Sequence, residues 1–318
     1  MAGRHASNQQ KTQIIDALRP VYPLKLLLQI AGLAASSFYA ALKRLNCPQS
    51  SSSQEADQAV LADIMAIRNN ANLVAAESLG YRPMQVYLNH LRAKRGQGPI
   101  NHKRLRRIMR EHDLQSKSYA KRQAKYRSYQ GTTGRIYKNY LKKRFQTDRP
   151  LQKIGTDIAE FRWGEQSTRQ RLFGSLMIDF YSGEILGYHF SLHPTTELVM
   201  TSLTPVLAQI QDLSHLVTLH SDQGTQYQSS RYQLALKQAH IRQSMSRKST
   251  PTDNAVVESI IHQIKVGTVL NHTYPTQVAL EEALVRWIYS YNHYRIRRKN
   301  NWLTPIAMRT QYQKQKVA

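Results

Sequence analysis

The stretch "KIGTDIAEFRW", Lys153 to Trp163, alternates between apolar and polar residues in the way that a β-strand does. Two apolar runs follow it, "RLFGSLMIDFY" and "EILGYHFSLH", and the short Ser182-Gly183 turn between them predicts a hairpin. Three consecutive strands are therefore predicted after Pro150.

The residues after this hairpin switch between helical and strand patterns. A helix is predicted from Glu197 to Leu213, a strand at "LVTLH", a helix from Ser230 to His240 and a short strand at "IRQSMS". Helices fill the remainder. Three strands followed by alternating helix and strand predict an α/β fold, with a mixed sheet that carries helices on its faces.

Two aspartates stand out in these strands. Asp157 lies inside the first strand, between the small residues Gly155 and Ala159 on the same face. An Asp there opposes strand propensity, and such conflicts concentrate at functional sites; the alternative is an exposed Asp on an edge strand.

Asp222 follows the strand "LVTLH" and is either a turn residue or a metal ligand. Hard cations collect oxygen ligands from separate elements, but the sequence does not show that these two strands are neighbours.

A third carboxylate belongs to the predicted helix in "TPTDNAVVESIIHQIK". Its apolar residues recur at helical spacing and predict a buried stripe: Val257, Ile260, Ile261 and Ile264. A second stripe is polar and carries Asn254, Glu258, His262 and Lys265. A charged face is usually only solvated, but this helix is otherwise nearly apolar, so Glu258 is a candidate ligand.

The N-terminal half is helical and basic. Residues 1–47 show helix-turn-helix spacing around Gly32, "PQSSSSQ" is a predicted flexible linker, and residues 54–115 form a second helical module. Its last helix, capped by Asn101, carries Arg104 and Arg107 on a face that either binds DNA or is merely solvated. Residues 116–150 are predicted to form a basic linker that lies along DNA phosphates, with Lys142, Lys143 and Arg144 as candidate contacts. Residues 151–318 are predicted to form the core, which ends in a C-terminal helix.

Composition narrows the class of protein. The chain has 45 Lys and Arg against 20 Asp and Glu, a net charge of +25, which favours a nucleic-acid partner over a generic basic protein such as a ribosomal one. The single cysteine, Cys47, allows no disulfide within the chain and no Cys-rich zinc site, and it fits a reducing cytosol. No signal core or long apolar run occurs, so we expect a cytoplasmic protein without a membrane span.

Several motifs, taken in order, resemble one family. The matching pieces are "GTDIAEF", "LMIDFYSGEILGY", "LHSDQGTQY", "SMSRKSTPTDNAVVES" and "YSYNHYR" followed by "LTP". Thirty-five residues lie between Asp222 and Glu258, and Lys265 follows Glu258 by seven. From Lys153 to about Met308 the chain resembles the integrase core of DDE transposases, most closely insertion-sequence family three, and the helical N-terminal region is similar to that family as well.

This resemblance implies an RNase H-like fold whose metal ligands are Asp157, Asp222 and Glu258, with two Mg²⁺ (or Mn²⁺) ions in each active site. It implies a transposase that cleaves and joins DNA strands at insertion-sequence ends. Asp179, Glu160 and Asp253 are not expected to bind metal, and Asp253 is expected to cap the Glu258 helix. The predicted DNA contacts near the site are Lys265, Asn254, Arg247 and Lys248.

The expected partners are the terminal repeats and the target DNA, further copies of the chain bound to DNA, and the product of an upstream reading frame. We therefore expect the protein to lie in the bacterial cytoplasm, associated with the nucleoid. Two alternatives stay open: a catalytically inactive DNA-binding regulator, which the intact carboxylates argue against, and a nuclease that only cuts, which the helical modules and Lys265 argue against.

Overall fold

The computed structural model describes residues 7–46, 51–116, 135–165, 169–247 and 250–317. By its internal contacts the chain divides into two units, Met1–Ala62 and Asp63–Ala318. The sequence-based boundaries near residues 54, 116 and 150 differ from this single division. Most of the predicted basic linker, residues 117–134, lies outside the described residues.

The first unit is a small helical cluster. Its helices are α1 (Asn8–Leu18), α2 (Leu24–Ala31), α3 (Ala35–Asn46) and the first part of α4 (Ser51–Arg68). Gly32 ends α2 with φ +58°, a left-handed conformation that glycine adopts without strain, so the turn predicted at this residue is present. Ile15, Leu33, Phe38 and Leu42 form its core.

Helix α4 begins inside the segment predicted to be a flexible linker. Ser51, Ser52 and Ser53 are its first residues, so the flexible interpretation is wrong from Ser51 onward. Serine opposes the helix interior but is favoured near helix N-termini, which is why a serine-rich stretch resembles a linker in sequence and can still open a helix.

The second unit begins with helical structure. Helices α5 (Tyr81–Lys94) and α6 (His102–Glu111) pack on each other, and the Asn101 side chain caps α6 by accepting from the Lys103 amide, as predicted. In α6 the buried residues are Leu105, Ile108 and Met109.

In the described part of the chain, five strands form one sheet in the order β3-β2-β1-β4-β5. They are β1 (Lys153–Arg162), β2 (Arg171–Asp179), β3 (Ile185–Ser191), β4 (Thr218–Ser221) and β5 (Arg242–Met245). The first three pair antiparallel, whereas β4 lies parallel to β1 and β5 parallel to β4. The predicted mixed sheet is confirmed, and β1 is its central strand, not an edge.

Helices cover both faces of the sheet. The remaining helices are α7 (Thr196–Ile210), α8 (Thr225–Gln228), α9 (Ser230–Gln238), α10 (Ala255–Gly267), α11 (Gln277–His293) and α12 (Pro305–Val317). One core joins β1 and β2 to α10 and α11, through residues such as Phe161, Ile264 and Trp287. Another joins β1 and β4 to α7 and α9, through Ile154, Leu203 and Tyr232.

The helical segment before the sheet is hydrogen-bonded to the end of α11 within the second unit. The Tyr87 hydroxyl donates to the Tyr294 carbonyl at 2.7 Å and accepts from the Ile296 amide at 3.0 Å. The Val74 amide donates to Ser290 Oγ at 2.9 Å.

None of the described helices combines the length and the apolar composition that a membrane span needs. One bent helix pair, Leu24–Ala31 with Ala35–Lys43, meets these two criteria when its helices are taken together.

Candidate active site

Strand pairing places Asp157 and Asp222 side by side. In the parallel ladder Gly155 of β1 is level with His220 of β4, and the two aspartates each follow two residues later. Burial and then the negative charge of Asp222 raise the pKa of Asp157 to about 7. The sequence left open whether these strands were neighbours, and the ladder shows that they are.

Each aspartate uses one oxygen locally. Asp157 Oδ1 accepts from the Ile158 amide at 2.8 Å, and Asp222 Oδ1 accepts from the Gly224 amide at 2.9 Å. Burial also raises the pKa of Asp222, against the Gly224 hydrogen bond. The second oxygen of each carboxylate has no hydrogen bond from the residues that the structure describes, so it is available to a ligand.

Glu258 approaches from α10, which packs directly on β1. A Cβ at Gly155 would lie 2.5 Å from Val257 Cγ2 and 2.5 Å from a ring carbon of Phe180, so only glycine lets the helix come this close. The predicted apolar stripe of α10 is buried. Glu258 itself is exposed, and its charge is a further cause of the raised pKa of Asp157.

These groups suit a hard divalent cation by donor type, since carboxylate oxygens are its preferred ligands. Burial and, after it, repulsion from Asp222 raise the pKa of Asp157, and a cation would relieve that repulsion. Among the described residues, however, no three His, Cys, Asp or Glu side chains converge closely enough to form a ready metal site. The apparent site is therefore a coupled aspartate pair with Glu258 within electrostatic range.

Lys265 lies near this pair. Its Nζ is 5.9 Å from the centre of the Phe161 ring. Burial lowers the pKa of Lys265, opposed by the charges of Glu160 and Asp157, and the ammonium in turn lowers the pKa of Asp157. The structure thus brings Lys265 into the same electrostatic neighbourhood as the aspartates.

The loop before α10 is held by Asp253. Its carboxylate is fully buried and accepts from Arg247 Nε at 3.0 Å, Arg247 Nη2 at 3.0 Å and Asn139 Nδ2 at 2.8 Å. The hydrogen bonds from Arg247 are the main reason that the pKa of Asp253 falls to about 2. The expected capping of α10 by Asp253 is wrong, because its oxygens are taken by Arg247 and Asn139 instead.

The predicted DNA contacts of this loop have other positions. Arg247 keeps a side chain that is 62% exposed, but its guanidinium is paired with Asp253. Asn254 is buried and donates to the Thr156 carbonyl at 3.1 Å, beside Asp157, which favours a structural role for it. Lys248 lies outside the described residues.

Asp179 and Glu160 have structural partners. Asp179 accepts from the Leu151 amide at 3.0 Å and from the Ser182 amide at 2.9 Å, which fixes the hairpin turn. Glu160 pairs with Arg162 at 2.8 Å. Both arrangements agree with the expectation that neither binds metal.

The basic candidates outside the site are on the surface of the second unit. Arg107 pairs with Glu111 at 2.8 Å, and Arg104 is half-buried. The side chains of residues 142–144 are exposed in a turn where Lys142 and Lys143 have positive φ.

Sequence reasoning missed His220. Its Nδ1 lies 2.8 Å from Ser244 Oγ and its Nε2 3.0 Å from Ser246 Oγ, so the ring ties β4 to β5 just before Asp222. Burial lowers the pKa of His220 to about 4, and the ring is neutral at pH 7. The only signal was its place directly before "SD", which does not reveal partners that lie 24 and 26 residues further along the chain.

Comparisons with known proteins agree with these features. An integrase core domain family matches residues 147–251, a second integrase core domain family matches residues 239–305, and an HTH-like domain family matches residues 55–122. The strand order and the integrase core matches confirm the predicted RNase H-like fold.

Similar proteins include a putative transposase InsK for insertion sequence element IS150 of Escherichia coli K12, 34% identical over 94% of this chain and 98% of that protein. Transposase InsF for insertion sequence IS3A, also of Escherichia coli K12, is 30% identical over 65% of this chain and 69% of its own. A solved HTLV-2 integrase catalytic core domain in complex with magnesium covers 52% of this chain and 99% of its own, at 16% identity and a TM-score of 0.40.

Proposed function

Since the chain belongs to the insertion-sequence transposases, with an integrase core domain and an HTH-like domain, we propose that it cleaves and joins DNA strands at the ends of an insertion sequence. The reaction depends on Mg²⁺ or Mn²⁺, two ions to a site. The observation that carries the proposal is the coupled pair Asp157 and Asp222, with Glu258 opposite on α10.

In this proposal Asp157, Asp222 and Glu258 are the metal ligands. When bound, the ions would activate the attacking oxygen and stabilise the leaving 3′-oxygen. The protein's own contribution is placement: β1 and β4 hold the two aspartates level with each other, and Gly155 lets α10 bring Glu258 toward them. Asp157 must lose its proton to act as a ligand, and its pKa of about 7 makes that loss easy only at neutral pH and above.

DNA is held by positive groups around this site. In this proposal Lys265, which is half-buried and influences the charge of Asp157, contacts the terminal phosphate or base. The exposed residues 142–144 offer phosphate contacts on the segment that enters the sheet, as do Arg104 and Arg107 on α6 and Lys248. Arg247 is a weaker candidate, because its charge is already matched by Asp253. The partners proposed are the element's ends, the target DNA, further copies of this chain and the upstream frame's product.

Three single substitutions test the ligand assignment. Asp157→Asn, Asp222→Asn and Glu258→Gln should each abolish metal-dependent nicking of a labelled insertion-sequence end while DNA binding survives, because one charge is a small part of +25. Glu282→Gln, an exposed carboxylate on α11, is the matched control and should stay active. Full nicking activity in any of the three variants would overturn the assignment.

A second assay separates transposase from the two alternatives. Wild-type protein is given pre-cut ends and a target plasmid, and joined products are counted. A nuclease that only cuts would nick but give no joined product, and an inactive regulator would bind DNA without either reaction.

A further inference from the structure

A cavity of about 370 Å³ lies between the start of α5 and the segment that follows α11. Its lining includes five cationic side chains: Arg82, Arg295, Arg297, Arg298 and Lys299. Within the described residues no Asp or Glu lines it. Two acids act on these cations from outside the lining: Glu77 on Arg295 and Asp179 on Lys299. A cavity with this excess of positive charge is suited to an anion.

Some of these cations already have partners. Arg297 Nη1 donates to the Ser182 carbonyl at 2.7 Å and Lys299 Nζ to the Phe180 carbonyl at 3.1 Å, so both help to fix the segment. Arg295 donates through Nη2 to Ser78 Oγ at 2.8 Å. Its Nη1, in contrast, is buried and has no hydrogen-bond partner among the residues that the structure describes. The Arg295 guanidinium carbon lies 5.8 Å from the centre of the Trp287 ring, so this side chain keeps its positive charge at the cavity without an acidic hydrogen-bond partner among the described residues.

The N-terminus of α5 opens onto the same cavity. Among the described residues, Gly80 at the cap position offers no side-chain cap, and the first turn of this 14-residue helix carries no acid. Pro83 removes one N–H from that turn, and the free amides before it are donors at the positive end of the helix dipole. Helix N-termini of this kind bind phosphate.

Trp302 completes the lining with an aromatic ring. Aromatic rings next to phosphate contacts are a recurring feature of nucleic-acid sites, because bases and sugars pack on them without regard to sequence. The ligand that matches guanidinium donors, helix amides and a ring together is a nucleotide unit of a DNA strand.

We infer that this cavity binds a backbone phosphate of DNA, with the adjoining nucleotide against Trp302. The inference rests on the proposed function, since it takes DNA as the substrate. The bound phosphate is not the one that reacts. Gln263 of α10 lines the cavity, and at about 1.5 Å and 100° per residue it lies about 7.5 Å along the helix from Glu258 and about 140° around it. The cavity therefore holds DNA on the other side of α10.

The test compares a pocket variant, Arg82→Gln with Arg298→Gln, against the control Arg286→Gln. All three arginines are exposed, so folding should be preserved, and Arg286 on α11 does not line the cavity. Binding of a labelled insertion-sequence end is followed by fluorescence anisotropy in EDTA, from about 0.1 M to about 1 M salt, so that metal binding at the carboxylates plays no part.

Each lost phosphate contact should reduce the steepness of the plot of log affinity against log salt by about 0.9. If variant and wild type bind equally at about 1 M salt, the variant should therefore bind roughly eightfold more weakly at about 0.1 M. The pocket variant should show this loss and the control should not. DNA should also quench part of the tryptophan fluorescence in wild-type protein but not in Trp302→Phe.

Equal slopes for the pocket variant and the control would overturn the inference, and so would unchanged quenching in Trp302→Phe. Either result leaves the proposed function intact if wild-type protein still nicks the end. Failure of wild-type protein to bind or nick DNA at all would instead refute the proposed function.

Discussion

At the scale of single residues, Asp157 shows how the site opposes stability. Its carboxylate is partly shielded from water and lies near the charges of Asp222 and Glu258, and burial, followed by these charges, raises its pKa to about 7. The folded, metal-free protein therefore prefers the protonated form, whereas the proposed function needs the ionised one. Active sites commonly carry such local costs.

Replacing Asp157 should reveal this cost. The pKa is higher in the folded state than the ordinary value of 3.8, so the folded state binds the extra proton and stability falls as pH rises from about 4 to about 7. Asp157→Asn cannot ionise and should be more stable than wild type by about 1–2 kcal/mol at pH 8, allowing for solvent screening of a partly buried group. Thermal unfolding in EDTA at pH 4 and pH 8 checks this; an equal difference at both values would contradict it.

Lys265 should act on the DNA and on the protonation of Asp157. Lys265→Gln removes one phosphate or base contact, worth about 1–3 kcal/mol, so joining of pre-cut ends should slow by roughly tenfold or more at saturating metal. The pH of half-maximal nicking should also rise, because a charge that lowers the pKa of Asp157 is gone. Lys237→Gln, exposed on α9, is the control. A normal joining rate in Lys265→Gln would refute the role.

At the scale of elements, the contact between β1 and α10 decides whether the carboxylates meet. Gly155 has no side chain to hold the helix away, and Asp253 anchors the turn that leads into the helix. The strands, the helix and its buried stripe were all predictable, since apolar periodicity follows from burial. The partners of Asp253 were not, because Asn139 is 114 residues away and no local pattern records a long-range hydrogen bond.

A methyl group at Gly155 should push α10 off the strand. The new Cβ would lie 2.5 Å from Val257 and from Phe180, so Gly155→Ala should lower the free energy of unfolding by about 1–3 kcal/mol and reduce nicking further than stability explains. Gly98→Ala is the control, because no described atom lies within 4 Å of its Cβ; it should change stability by less than about 0.5 kcal/mol. Denaturant unfolding and the nicking rate are measured for both variants. Normal stability and normal nicking in Gly155→Ala would contradict the prediction.

At the scale of the whole molecule, helices α5 and α6 share one unit with the sheet. The sequence favoured a separate module for residues 54–115, since helical and strand patterns change sharply at the basic segment. It could not show that Tyr87, Val74 and Ser78 hydrogen-bond to residues beyond position 289. The fold class was thus within reach of the sequence, whereas these long-range hydrogen bonds were not.

Truncation should expose this dependence. A chain of residues 63–318 should unfold in one cooperative transition and keep its metal-dependent nicking. A chain of residues 151–318 leaves Ser290, Tyr294 and Arg295 without their partners and should unfold at lower temperature, since each lost buried hydrogen bond costs about 1–3 kcal/mol. Calorimetry of both chains gives the comparison, and equal melting temperatures would show that the helices dock without stabilising the core.

The parallel ladder between β1 and β4 has a consequence for the cell's genome. Because side chains alternate along a strand, a slip of one residue in this pairing would turn Asp157 to the opposite side of the sheet, away from Glu258. Under the proposed function, a copy with this slip would keep its basic helices for DNA binding but would lack the carboxylate arrangement that cleavage needs.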